Sequence, residues 1–152
     1  MVQICLRRMR STIPMPKLGT RGASGYDVAL YIPSRVEELG PGEARIFKTG
    51  LEVENIPEGY EIQVRPRSGS FVKGLNVLWG TVDSDYRGEL RIAVRNSSDH
   101  TILIMDGIKM AQLVIAPVLT AEFVEGTGDK TDTERGAGGF GSTDDNLNRE
   151  IL

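Results

Sequence analysis

At 152 residues and 16.6 kDa the chain has the length of one domain and can bury a core without disulfide support. Its 18 Lys and Arg against 21 Asp and Glu leave a net charge of −3. That argues against general nucleic-acid binding, which rests on clustered cations facing many phosphates. A single cysteine, Cys5, and a single histidine, His100, exclude an internal disulfide, a cysteine-built zinc site and a His-rich metal centre within the chain.

Along the chain, the apolar run Met1 to Leu6 is short, and the charges Arg7, Arg8 and Arg10 follow it, the reverse of a secretory signal. The apolar stretch from Leu113 to Leu119 is too short to span a bilayer. A soluble, intracellular and most simply cytoplasmic protein is expected, without membrane association. Strands are predicted at Gln3 to Arg8, Tyr26 to Tyr31, Ala44 to Lys48 and Leu51 to Glu54. Period-two alternation is clearest at Tyr60 to Arg65 and Leu90 to Arg95. Further strands are predicted at Thr101 to Ile104, Met110 to Ile115 and Ala121 to Val124. Ser34 to Leu39 reads as at most a turn or two of helix before Gly40-Pro41-Gly42, and His100 as an exposed turn residue. Gly, Pro, Asp or Asn punctuates nearly every gap. The pattern predicts an all-β chain, a sandwich, jelly roll or barrel, because a parallel sheet would need crossover helices. One β domain is expected over residues 1–125, followed by a flexible tail over 126–152 that is rich in Gly, Thr and Asp.

Three segments carry residue types suited to chemistry. Arg65-Pro66-Arg67-Ser68-Gly69-Ser70 follows a predicted strand and combines guanidinium, hydroxyl and a glycine that allows close backbone approach, which phosphate oxygens favour. The plain alternative is a turn with a solvated arginine. Gly80-Thr81-Val82-Asp83-Ser84-Asp85-Tyr86-Arg87-Gly88 sets two carboxylates beside an aromatic ring. It reads either as an acidic hairpin turn or as a general base next to a flat wall for a sugar or base. Thr133 to Thr143 is glycine-rich around Arg135 and Phe140. It has neither the lysine of a P-loop nor a bracketing strand and helix, and a linker is the plain alternative. An isolated Phe140 nevertheless wants a partner, and a planar base would serve.

These segments, together with Ala23-Ser24-Gly25-Tyr26-Asp27-Val28 and Gly107-Ile108-Lys109-Met110-Ala111-Gln112-Leu113, resemble in order the five motifs of the trimeric dUTP diphosphatases. The resemblance runs from Ala23 to Thr143. It implies a jelly-roll-like, distorted β-barrel subunit assembled as a homotrimer, hydrolysing dUTP to dUMP and pyrophosphate with Mg2+ by water attack at the α-phosphorus. Asp83 would be the general base, and Asp85 would shape its turn. Arg67, Ser68 and Gly69, with Gln112, would hold the triphosphate, and Arg135 would clamp its terminal phosphate. Asn76, Val77, Gly80, Thr81 and Val82 lie in the segment that would read uracil through backbone atoms, with Tyr86 under the deoxyribose. Phe140 would stack on the base, and Gly141, Ser142 and Thr143 would close with it as the tail crosses to a neighbouring subunit. Asp27 would reach the metal indirectly, through water.

The chain also departs from the family pattern. Ser70 and Phe71 stand where small or aliphatic residues are usual, Val77 where Asn is frequent, Trp79 where a small residue is common, Lys109 where Arg is frequent and Asp144 where Gly is usual. Two rival functions follow from the same residues: a dCTP deaminase-type enzyme of the same fold family, and a non-catalytic protein that senses dUTP.

Overall fold

Alternating apolar side chains turn inward along eleven strands in the computed structural model, which describes residues 1–138. The strands are β1 (Cys5–Arg8), β2 (Lys17–Leu18), β3 (Tyr26–Ala29), β4 (Val36–Leu39), β5 (Ala44–Asn55), β6 (Tyr60–Pro66), β7 (Leu75–Val77), β8 (Gly80–Val82), β9 (Glu89–Asn96), β10 (Ile102–Met105) and β11 (Lys109–Pro117). Between β6 and β7 lies one short helix, α1 (Ser68–Val72). On β9, Leu90, Ile92 and Val94 are buried while Arg91 and Arg95 are exposed; on β6, Ile62 and Val64 are buried. Period two therefore survives from sequence to packing. Leu30, Ile32, Leu39, Leu51, Ile104 and Met110 join them in a single apolar cluster.

All the pairings are antiparallel. One sheet has the order β1-β5-β9-β7, a second is the pair β10-β4, and a third has the order β2-β3-β11-β6-β8. The all-β, jelly-roll-like expectation holds, with the strands shared among three sheets that do not close into a barrel. Met1–Leu119 is one compact unit, and a second begins at Thr120. Among the described residues no helix is long and apolar enough to cross a membrane.

Several local expectations are revised. The strands predicted at Ala44 to Lys48 and Leu51 to Glu54 are two arms of β5; the first pairs with β9, and the second pairs with β1 and meets β9 again at Glu52. The bend between them is held by buried Thr49, whose hydroxyl donates to the Leu90 carbonyl at 2.7 Å. Gly50 sits there at φ +69, where a Cβ would collide with Ile13. Ser34 to Leu39 contains no helical turn. Val36–Leu39 is β4, paired with β10, because burying Leu39 against a distant strand outweighs the helical preference of Glu-Glu-Leu. Ala121 to Val124 is not a strand: Phe123 and Val124 are exposed, and none of the described strands pairs with them.

Candidate active site

Strand register gathers the polar residues of the first, second and fourth motifs. Asp27 on β3 lies opposite Gln112 on β11, which in turn lies opposite Arg65 on β6. Directly opposed residues of antiparallel strands share a face, so the three form a row across the five-stranded sheet. The Asp27 carboxylate receives Arg67 Nε at 2.8 Å on one oxygen, and Arg67 Nη2 at 3.4 Å and Lys109 Nζ at 3.3 Å on the other. Arg67 Nη1 also donates to the Lys109 carbonyl at 2.7 Å. Two cations around one carboxylate leave this cradle with an excess of one positive charge.

Local folding explains the placement of Arg67. Pro66 ends β6, and Arg67 caps α1, its carbonyl accepting from the Ser70 and Phe71 N–H groups at 3.0 and 3.2 Å. Ser70 is buried and donates its hydroxyl to the Met110 carbonyl at 2.9 Å, which fastens the helix to β11 and turns Arg67 back over the sheet. Ser68 and Gly69 form the exposed first positions of α1, where backbone N–H groups have no partner within a helix. Gln112 donates to the Pro66 carbonyl at 3.1 Å. At Gly25 any Cβ would strike the Gln112 side chain, which is why that position is glycine.

The third motif is divided between two sheets. β7 is the edge strand beside β9, and Leu78 N–H donates to the Ala93 carbonyl at 2.9 Å. Bonded and non-bonded pairs alternate along an antiparallel ladder, so Val77, opposite Val94, turns its own N–H and C=O away from β9. Its side chain is buried, leaving the backbone as its only group available to a ligand. The Asn76 side chain donates to Ser97 Oγ at 2.8 Å. Leu78 and Trp79 then cross to β8, where Gly80, Thr81 and Val82 lie opposite Val64, Gln63 and Ile62.

Asp83 follows β8 on an exposed turn in which Tyr86 N–H donates to the Asp83 carbonyl at 3.1 Å. The Tyr86 hydroxyl donates to the Glu89 carbonyl at 2.9 Å, and a Cβ on Gly88 would come within 2.6 Å of Tyr86 Cζ. Thr81, Val82, Asp83, Tyr86 and Arg91 line a cleft of about 210 Å³. A larger hollow of about 400 Å³ between Arg10, Tyr31, Arg35 and Asp106 contains none of the candidate catalytic, phosphate or base residues and touches the quoted motifs only at Gly107, so chemistry and not size selects the site. Arg135, in the second unit, lies on a turn where its Nε donates to the Gly138 carbonyl at 2.9 Å. Phe140, Gly141, Ser142 and Thr143 lie outside the described residues. Among the described residues no three of His, Cys, Asp and Glu cluster as metal ligands.

A family model described as dUTPase matches residues 11–144, which include the cradle, the Asp83 turn and the glycine-rich segment. The chain belongs to the dUTPase family. The deoxyuridine 5'-triphosphate nucleotidohydrolase of Bdellovibrio bacteriovorus is 52% identical over 132 residues, covering 85% of this chain and 87% of that protein. The enzyme of the same name from Chlamydia muridarum is 46% identical over 139 residues, covering 90% and 94%. Among solved structures, a variant dUTPase of Staphylococcus bacteriophage 80alpha with dUpNHpp superposes with a TM-score of 0.82 at 27% identity, covering 93% of this chain and 98% of that one. A variant dUTPase from phage phi11 of S. aureus, described with a structural Mg(II) ion, gives a TM-score of 0.75 at 26% identity, covering 85% and 99%.

For a dUTPase-family chain, then, the structure unites Asp27, Arg67 and Gln112 in one cradle, and Thr81, Val82, Asp83 and Tyr86 around one cleft. Sequence reasoning set Lys109 aside as a departure, yet it shares the Asp27 carboxylate with Arg67. It also gave no role to Gly25 and Gly88, which leave room for Gln112 and Tyr86. Gly88 follows Tyr86 by two residues and so was a local signal, whereas Gly25 and Gln112 are far apart in sequence and only the fold brings them together.

Proposed function

We propose that this dUTPase-family chain hydrolyses dUTP to dUMP and pyrophosphate with Mg2+, supplying dUMP and keeping uracil out of DNA. The observation that carries the reading is the cradle in which Arg67 and Lys109 flank Asp27 beside Gln112. A positively charged cluster of this kind suits a phosphate chain. Arg67, Gln112 and the backbone of Ser68 and Gly69 would hold the phosphates, and Arg135 would clamp the terminal one. The outward backbone edge of Val77 and the strand Gly80–Val82, with Asn76 beside them, would read uracil. Tyr86, braced on Glu89, would lie under the deoxyribose.

Asp83 would orient a water and take its proton as the water oxygen bonds to the α-phosphorus. The bond from that phosphorus to the bridging oxygen breaks, and pyrophosphate leaves with the bonding electrons. The donor set fits magnesium as an ion brought in on the triphosphate: Asp27 is the one carboxylate in the cradle, and Mg2+ favours substrate phosphates and retained waters over a protein-built cage. When bound, magnesium would neutralise charge gathering on the leaving pyrophosphate. Asp27, already paired with Arg67 and Lys109, would reach it through water.

We further propose a homotrimer in which the tail over residues 126–152 closes over a neighbouring subunit's site, with Phe140 stacked on uracil and Gly141, Ser142 and Thr143 closing with it. The solution mass would then be three times the 16.6 kDa of the chain. The function is tested by supplying dUTP, dCTP, dTTP and UTP separately, with magnesium, and following pyrophosphate and ammonia. Pyrophosphate from dUTP alone is expected. Ammonia from dCTP would move the chain to deamination, and tight dUTP binding without turnover would make it a sensor.

A further inference from the structure

Trp79, the only tryptophan in the chain, lies at the point where the chain passes from one sheet to another, and the residue is 61% exposed. Only Leu78 and Trp79 separate β7, on the edge of the four-stranded sheet, from β8, on the edge of the five-stranded one. Leu78 is tied to β9 through its N–H. Trp79 is held from the other side. The guanidinium carbon of Arg65 lies 5.1 Å from the centre of the indole, within the range of a cation–π contact.

Register explains the meeting. Val64 is opposite Gly80, so Arg65, one residue further on, falls opposite Trp79, one residue earlier. Arg65 is itself fixed: Nε donates to Gln63 Oε1 at 3.0 Å, and the Gln63 amide donates to Glu61 at 2.5 Å along the same face of β6. Arg65 also stands opposite Gln112, whose other neighbour in the row is Asp27. One line of opposed side chains thus joins the phosphate cradle to the crossing between the two sheets.

We propose that Arg65 and Trp79 are positioning residues whose stack fixes the Leu78–Trp79 crossing and so sets where Gly80–Val82 presents its backbone to the base. This deepens the dUTP-hydrolase reading of the same site and rests on it. Neither residue touches the reacting phosphorus. Losing the stack should let the crossing drift, which weakens the fit of the correct base and relaxes discrimination against others, while the groups around the α-phosphate keep their places.

The test uses the full chain with the variants Trp79→Ala, Trp79→Phe, Arg65→Met and the Arg65→Met/Trp79→Ala pair. The readouts are kcat and KM for dUTP, the dUTP preference over dCTP and dTTP, the melting temperature and the emission of Trp79. Each of Trp79→Ala and Arg65→Met is expected to raise KM about tenfold with kcat within about twofold, the pattern of lost ground-state binding. Both should narrow the preference for dUTP. The paired variant should be no worse than either single one, since both break the same contact. Trp79→Phe should recover most of the loss, and Arg65→Met should shift the Trp79 emission. Wild-type KM and preference in both single variants would overturn the proposal, as would additive losses in the pair or a melting temperature that falls in step with KM. A defect in Trp79→Ala that Arg65→Met does not share would also overturn it, because the indole would then act without its partner. Failure of the unmodified chain to hydrolyse dUTP would refute the proposed function itself, whereas turnover with unaffected variants would refute only the positioning role.

Discussion

Asp83 projects from an exposed turn, and that turn is shaped by its own backbone and by Tyr86, so the carboxyl group itself has no part in building it. Asp83→Asn should therefore keep the fold and dUTP binding but lower kcat by about a thousandfold, the scale of a lost general base. Single-turnover assays beside a binding titration with a non-hydrolysable analogue would check this; wild-type turnover would remove Asp83 from the mechanism. Gly88 is the opposite case, a residue without a functional group whose smallness seats another. Gly88→Ala would push Tyr86 off the Glu89 carbonyl and is expected to cost about a hundredfold in kcat/KM through misplacement of the wall beside Asp83. Steady-state kinetics with a folding control would measure it. At this scale the sequence was informative about identity but not about company. Nothing in the spacing of Asp27, Arg67 and Gln112 says that they meet. Asp27 and Gln112 are brought together by a strand register that pairs β3 with β11, and Arg67 joins them because α1, fastened to β11 through Ser70, turns it back over the sheet.

Elements were legible where one face is buried and the other wet. β6 and β9 could be read residue by residue, because Ile62, Val64, Leu90, Ile92 and Val94 alternate with polar neighbours. β2 and β4 could not, since two residues carry no period and Glu-Glu-Leu has the composition of a helix; only pairing with β3 and β10 makes them strands. α1 was hidden for a similar reason: Ser-Gly-Ser is poor helix sequence, and it is Ser70 bonded to Met110 that holds the turn. The tight turn before β5 also has its own pH signature. Glu43 accepts the Gly40 N–H at 2.9 Å and pairs with Arg45, and these contacts, the backbone bond foremost, hold its carboxyl below the ordinary carboxylate range. A depressed value in the folded chain means that the stabilisation is complete at neutral pH and disappears as pH falls through the folded-state value. Glu43→Gln should accordingly flatten the acid limb of stability while leaving neutral activity in place, which denaturant melts across the acid range would reveal.

Over the whole molecule, the compact unit Met1–Leu119 contains the cradle and the Asp83 cleft, while Arg135 belongs to the second unit. A chain ended after Lys130 should keep its circular-dichroism spectrum and melting temperature yet lose most dUTP hydrolysis, because Arg135 and Phe140 go with the tail. Full activity in that chain would show that the glycine-rich segment plays no part. The all-β class was legible from the density of short strands and turn residues. Their division among three sheets was not, because it depends on which edges meet and not on where strands begin. The two-residue passage from β7 to β8 carries a consequence for fidelity under stress. On the proposed reading, an edge that meets the base with one strand from each of two sheets would also gauge their alignment, so warming that lets the sheets slide would blur base choice before it slowed bond cleavage. Errors would then rise with temperature while throughput still looked healthy.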